Sequence, residues 1–181
     1  MSATTLIAVG GENLIDSVQT QTPEGETVFA HNLGGSPYNV AMALARQGAA
    51  THYLTPISTD DFGQQLAQHL EAQGVILAGE RRDEPSSQAV VTLENGVPTY
   101  EFHRENTAER CITDASIQAS MPSDATHFHA GSLAFASGED AGVWENAFHA
   151  AFKSGMTTSL DPNVRESLIQ DPDTYRARIM R

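Results

Sequence analysis

The sequence predicts an α/β fold: an open, mostly parallel sheet with helices on both faces, interrupted by a small antiparallel β excursion. Three observations carry that prediction. Short β-branched and apolar runs alternate with segments of helical period; three of the helical segments end at a glycine; and an Asn-Gly pair, Asn95–Gly96, separates two strand-like runs near the middle of the chain.

The first core strand is read from "TTLIAVG", closed by Gly10–Gly11, and "GGENLID" then runs on into hairpin-like sequence. "ETVFAH" follows a turn containing Pro and Gly and reads as the second strand. At Ser36 the pattern changes to a helix: Ser36 suits the N-cap, Pro37 the first helical position, Val40, Ala41, Leu44 and Ala45 form an apolar stripe, and Gly48 ends it. "THYLTPI" reads as one strand, and "TDDFGQQLAQHLEAQG" as a helix with Asp60 or Asp61 near its start and Gly74 past its end. The hairpin "SQAVVTLENGVPTYEFHR" comes next, then a stretch from Asn106 to Asp124 with one short helix. "ATHFHAGSL" is a strand, "GEDAGVWENAFHAAFKSG" an amphipathic helix stopped by Gly155, and "MTTSLDPN" a final strand.

Composition narrows the class of protein. The chain has 181 residues, 40% hydrophobic and 18% charged, which suits one globular domain. Its apolar runs fall short of the ~20 residues a membrane helix needs, and its N-terminus lacks a basic signal-peptide region, so a cytoplasmic protein with no membrane association is expected. The net charge of −13 repels the phosphate backbone of a nucleic acid, so no nucleic acid is expected. Cys111 is the single cysteine, which excludes an internal disulfide and reads as a small packed residue rather than a nucleophile.

Ligands of open α/β sheets bind beyond the carboxyl ends of the strands, and several polar residues fall there. Asp16 follows the first strand and offers acceptors for vicinal hydroxyls. Gly34–Gly35 precede a helix whose free N–H groups face the same region, and Asn39 lies in its first turn. Arg104 and Arg165 offer planar forks for an anion, although Arg104 also reads as a solvated residue at the end of a hairpin. The spacing of "GGENLID" does not fit a dinucleotide fingerprint. His127 and His129 share one face of a strand, but no third ligand stands at a diagnostic spacing, so no metal site is expected.

Taken together, "GENLID", "NLGGSPYNVAMALARQG", "ISTDDFG", "FHRENTA", "HFHAGSLAF" and "LDPNVR" resemble the ribokinase-like (PfkB) carbohydrate kinases, and among them the bacterial fructokinases, over nearly the whole chain. The resemblance implies an ATP- and Mg2+-dependent kinase that phosphorylates a small-molecule sugar, with D-fructose to fructose 6-phosphate foremost. 2-Keto-3-deoxygluconate, another sugar or a nucleoside remain as alternative substrates, and a non-catalytic sugar-binding fragment as another reading. It further implies that Asp16, Gly34, Gly35 and Asn39 form the sugar site, that Phe102 and Arg104 approach the substrate from a β lid, and that Asn163 and Arg165 lie near the transferred phosphate. The lid would comprise residues 17–31 and 88–103 and pair two subunits into a homodimer. The family's Gly-Ala-Gly-Asp run, whose Asp is the catalytic base, is expected beyond Arg181. Residues 1–181 would then be the N-terminal part of a single kinase domain lacking its nucleotide-binding part. That part alone would expose an apolar sheet edge, be marginally stable and lack phosphotransferase activity. Glu166 in "NVRE" imitates a magnesium motif of the family but stands one strand too early.

Overall fold

The computed structural model describes residues 5–94 and 97–181. The chain runs β1 (Leu6–Gly10), β2 (Leu14–Gln21), β3 (Thr27–Gly34), α1 (Ser36–Arg46), β4 (Ala50–Tyr53), β5 (Ile57–Ser58), α2 (Asp61–Ala72), β6 (Ile76–Leu77), β7 (Arg81–Arg82), β8 (Ser87–Glu94) and β9 (Val97–His103). It continues through α3 (Asp114–Ser120), β10 (His127–Gly131), α4 (Glu139–Lys153), β11 (Thr157–Asp161) and α5 (Pro172–Met180), with 3-10 turns at Ala108–Arg110, Ser132–Phe135 and Glu166–Leu168.

Five strands in the order β11-β10-β1-β4-β6 form a sheet in which every pairing is parallel. After β1 the chain adds β4 and β6 on one side, then β10 and β11 on the other. The carboxyl ends of β1 and β10 therefore border the crevice where the winding reverses. Alternation along β1 divides the core in two. Ala8 turns to one face with Phe128 and Ala130, covered by Trp144 of α4 and Tyr175 of α5. Val9 turns to the other with Tyr53, covered by Tyr38 and Ala41 of α1 and Leu66 and Leu70 of α2. The expected helices on both faces are present.

A second sheet, in the order β3-β2-β8-β9, carries the antiparallel excursion. β2 pairs antiparallel with β3 and parallel with β8, and β8 pairs antiparallel with β9. The two strands predicted around Asn95–Gly96 thus pair as expected, while the turn itself lies outside the described residues.

Four details differ from the sequence reading. β2 is a full strand, so Asp16 lies inside a strand of the small sheet rather than after the first strand of the large one. "THYLTPI" is divided between β4 and β5: Thr55 turns aside to donate its hydroxyl to the Gly11 carbonyl at 2.6 Å, and Pro56 brings no N–H to a ladder. The N-cap of α1 is Gly35, at φ 115°, rather than Ser36, because a capping oxygen arrives from elsewhere in the chain: Glu12 Oε1 accepts the Ser36 N–H at 3.0 Å. Residues 172–180, not assigned from sequence, form α5.

At the start of α2 the local prediction holds, and it explains a pH dependence. Asp60 is the N-cap. Its Oδ1 accepts from Gly63 N–H at 2.7 Å and Ser86 Oγ at 2.7 Å, and its Oδ2 accepts from Ser86 N–H at 2.8 Å. Partial burial opposes the charge, but the hydrogen bonds from Gly63, Ser86 and Ser58 outweigh it and hold this carboxyl below its ordinary value of 3.8. A depressed carboxylate stabilises the fold fully above its unfolded pKa and ceases to do so as pH falls through the folded one. Asp60→Ala is expected to cost about 1–2 kcal/mol near neutrality, shrinking towards zero as the pH falls well below 3.8; urea titrations of both proteins across that range check it.

Candidate functional site

A cavity of about 780 Å3 opens where the carboxyl ends of β1, β10 and β11 meet one face of the small sheet. Glu12, Ser132 and Leu133 line it from the large-sheet side, Gly35 and Asn39 from the start of α1, Asp16, Ala89 and Phe102 from the small sheet, and Asn163 and Arg165 from the segment after β11. Asp16, Gly35, Asn39, Phe102, Asn163 and Arg165 are thus brought to one cavity from segments far apart in sequence.

Strand register explains how the small sheet contributes. Asn32, Asp16, Ala89 and Phe102 are successive partners across β3, β2, β8 and β9, so they form one transverse row. Asp16 and Phe102 flank the small side chain of Ala89, which leaves depth between a carboxylate and an aromatic ring. Asp16 is half-buried, and its carboxyl has no hydrogen-bond or ion-pair partner among the described residues. Burial pushes its carboxyl above the ordinary value. Gly34 does not line the cavity, but it makes room for this side chain: a Cβ there would lie 2.6 Å from Asp16 Oδ2. Gly35 is equally constrained, since its φ is 115° and a Cβ would stand 2.5 Å from the Glu12 carbonyl oxygen.

The opposite wall is held by a left-handed turn. Asn163 has φ 37°, its N–H bonds to Asp161 Oδ1 at 3.1 Å, and its Nδ2 donates to Ser132 Oγ at 3.1 Å. Arg165 Nη1 donates to Asn163 Oδ1 at 2.8 Å and to nearby carbonyls, so this exposed cation is steadied by backbone while no carboxylate neutralises it among the described residues. An anion at the cavity would find a fixed positive group there.

Arg104 is placed otherwise than expected. It neither lines the cavity nor reaches solvent; it is 8% exposed and turned into the interior. Its Nε lies 2.8 Å from Glu109 Oε1 and its Nη2 3.2 Å from Oε2, and Nη1 donates to the Leu133 carbonyl at 3.3 Å. Ser87 Oγ, at 2.8 Å from Glu109 Oε1, completes the surroundings of the carboxylate. A buried guanidinium needs such a partner, and the buried Glu109, five residues on, supplies it.

Other residues noted in the sequence have local occupations. His127 bonds to Thr157 Oγ1 at 2.8 Å and Ser159 Oγ at 2.9 Å, His129 Nδ1 bonds to the same Ser159 hydroxyl at 2.8 Å, and burial lowers the pKa of both imidazoles. Burial raises the Cys111 thiol, aided by Glu84, away from nucleophile chemistry. Glu166 begins an exposed 3-10 turn and does not line the cavity. Sequence reasoning missed Glu12 and Ser132. The signal for Glu12 was its place directly after the glycines that end β1; Ser132, at φ 61°, had none.

The model of the pfkB family of carbohydrate kinases matches residues 4–181. Among curated proteins, a fructokinase of Rhizobium leguminosarum bv. trifolii is 35% identical over 177 residues, covering 97% of this chain and 54% of that protein. A probable fructokinase of Arabidopsis thaliana is 32% identical, covering 97% of this chain and 52% of that protein. Among solved structures, the fructokinase of Xylella fastidiosa with bound ATP superposes with a TM-score of 0.86 at 29% identity, covering 97% of this chain and 54% of its own. The chain spans about half the length of the curated relatives it matches.

The buried pair leads to an asymmetric expectation. Arg104→Met leaves Glu109 charged and uncompensated and is expected to cost about 3–5 kcal/mol, whereas Arg104→Met combined with Glu109→Leu removes both charges and costs much less. Denaturant unfolding of the single and double variants reads the difference; equal losses would contradict it.

Proposed function

Because the chain belongs to the pfkB family of carbohydrate kinases, we propose that the protein carrying residues 1–181 transfers the γ-phosphoryl group of ATP to a sugar hydroxyl, converting D-fructose to fructose 6-phosphate. The observation that carries this reading is Asp16. A half-buried carboxyl with open acceptor sites, lining the same cavity as Gly35 and Asn39, suits a polyol that offers several hydroxyl donors. Phe102 supplies an apolar ring for one face of the sugar, and its neighbour Tyr100 stacks upon it at 6.5 Å.

Asn163 and Arg165 would face the transferred phosphate. Arg165 offers a fixed fork to its oxygens, steadied from behind by Asn163, so charge developing in transfer meets a preorganised cation. ATP supplies the phosphoryl group and Mg2+ would neutralise its phosphate charge; among the described residues no group of three or more His, Cys, Asp or Glu is arranged for a metal. The group that accepts the hydroxyl proton belongs, on this reading, to the length of the relatives that residues 1–181 do not span. Those residues are then the N-terminal part of a single kinase domain.

The small sheet acts as a lid, with segments at about residues 17–31 and 88–103, closing over the sugar and excluding water. Its edge strand β3 is exposed along most of its length and carries Val28 and Phe29 at 38% and 43% exposure, which fits pairing with the same sheet of a second copy. The compartment consistent with the reading is the cytoplasm; no helix among the described residues is long and apolar enough to cross a membrane.

A sugar acid such as 2-keto-3-deoxygluconate is the second reading, favoured by the unneutralised guanidinium of Arg165 at the cavity. With Arg104 committed to Glu109, only one of the two expected arginines remains for a substrate carboxylate, which favours the neutral ketohexose. In the full-length protein, Asp16→Asn is expected to lower kcat/KM for fructose about tenfold to a hundredfold. Steady-state assays with fructose and the keto-acid side by side decide: unchanged fructose kinetics would remove Asp16 from the site, and a strong preference for the keto-acid would replace the ketohexose reading.

A further inference from the structure

The side chain of Glu12 caps α1, yet this uses only half of it. Oε1 accepts the Ser36 N–H at 3.0 Å, while Oε2 is buried and has no hydrogen-bond partner. Glu12 is 1% exposed and lines the cavity beside Asp16, Asn39, Ser132 and Asn163. A buried polar atom without a partner is costly, so one beside a ligand cavity calls for an explanation.

We propose that Glu12 is a sugar-contacting residue whose Oε2 donates a hydrogen bond to an oxygen of the bound substrate while Oε1 holds the start of α1. The inference rests on the sugar-kinase reading of the same cavity and adds to it a neutral acid beside the acceptor Asp16. The division of labour follows from the chemistry of a carboxylic acid: its carbonyl oxygen accepts from Ser36, and its hydroxyl is left to donate. Burial favours the protonated form of Glu12, the Ser132 hydroxyl and the Arg104 charge oppose this, and the Glu109 charge reinforces it. Asp16 and Arg165 face the same cavity, and the buried Tyr53 hydroxyl stands close enough to feel the charge. One wall would then offer an acceptor and a donor to adjacent sugar oxygens, which distinguishes a hydroxyl-rich ligand from a purely anionic one.

The test is calorimetric binding of D-fructose, with 2-keto-3-deoxygluconate as comparator, to the full-length protein and its Glu12→Gln and Glu12→Ala variants. Glutamine keeps an acceptor for Ser36 and a donor for the sugar. It is expected to stay within about threefold of the parent affinity, while alanine weakens fructose binding tenfold or more. Raising the pH should weaken binding to the parent as Glu12 ionises and leave the Gln variant unaffected by that step. A folded Ala variant with parental affinity would overturn the proposal. If the Ala variant does not fold, the pH series decides, and identical profiles for parent and Gln variant would overturn it. A parent protein that binds neither ligand would instead bring down the sugar-kinase reading, and the role of Glu12 with it.

Discussion

The buried guanidinium of Arg104 is the tie on which the arrangement of the two sheets depends. It lies just after the end of β9, yet its partners are Glu109 in the turn that follows and the Leu133 carbonyl beyond the end of β10. One side chain thereby fixes the base of the small sheet against the carboxyl end of the large one. Phe102 lies two residues before Arg104, and Ser132 immediately precedes Leu133, so both walls of the cavity are registered through the same group. An ion pair at this depth is a poor source of net stability, because desolvation offsets most of the attraction. Its geometry is demanding, however, and apolar contacts sliding over one another would not define the distance between the sheets as narrowly.

Around that tie the polar residues of the cavity divide into two kinds. Asn163, Ser132 and Arg165 bond chiefly to one another and to backbone, and so shape the wall. Asp16 and Glu12 line the space between the sheets, and one buried oxygen of Glu12 has no internal hydrogen-bond partner. The first kind makes the second precise in position without using up its hydrogen-bonding capacity. The glycines serve the same end: Gly34 leaves room for the Asp16 carboxylate, and Gly35 lets the backbone pass against Glu12, so the start of α1 and the end of β1 come together without intervening side chains.

Much of this was legible in the sequence because it is written in local patterns. Helix boundaries at Gly48, Gly74 and Gly155, the Asp60 cap and the alternating core of β10 each require only a few adjacent residues to recognise. β2 was less visible as a strand, since Leu14, Asp16 and Val18 face one way and Ile15 and Ser17 the other, with buried residues on both sides and no clean apolar alternation. Ser36 resembled an N-cap because serine commonly fills that place. The oxygen that does the capping belongs to Glu12, 24 residues earlier, and no local rule reaches that far. Arg104 was misplaced for the same reason: a charged residue at the end of a hairpin looks solvated until Glu109 is brought against it. The cavity residues drawn from the family resemblance did converge, apart from Gly34 and Arg104, which stand behind its walls.

Trp144 is the only tryptophan in the chain and is fully buried on α4, its ring occupying the space that a side chain at Gly10 would require. The chain consequently carries one indole, whose emission can be excited apart from that of its tyrosines, placed in the joint between α4 and the last residue of β1. Its emission should be that of an indole shielded from water and should shift to the red when this joint opens. Tyr100 and Phe102 lie on the other sheet, so a movement of that sheet alone would pass largely unseen by the indole. Fluorescence would therefore follow the integrity of the large sheet separately from the opening of the cavity.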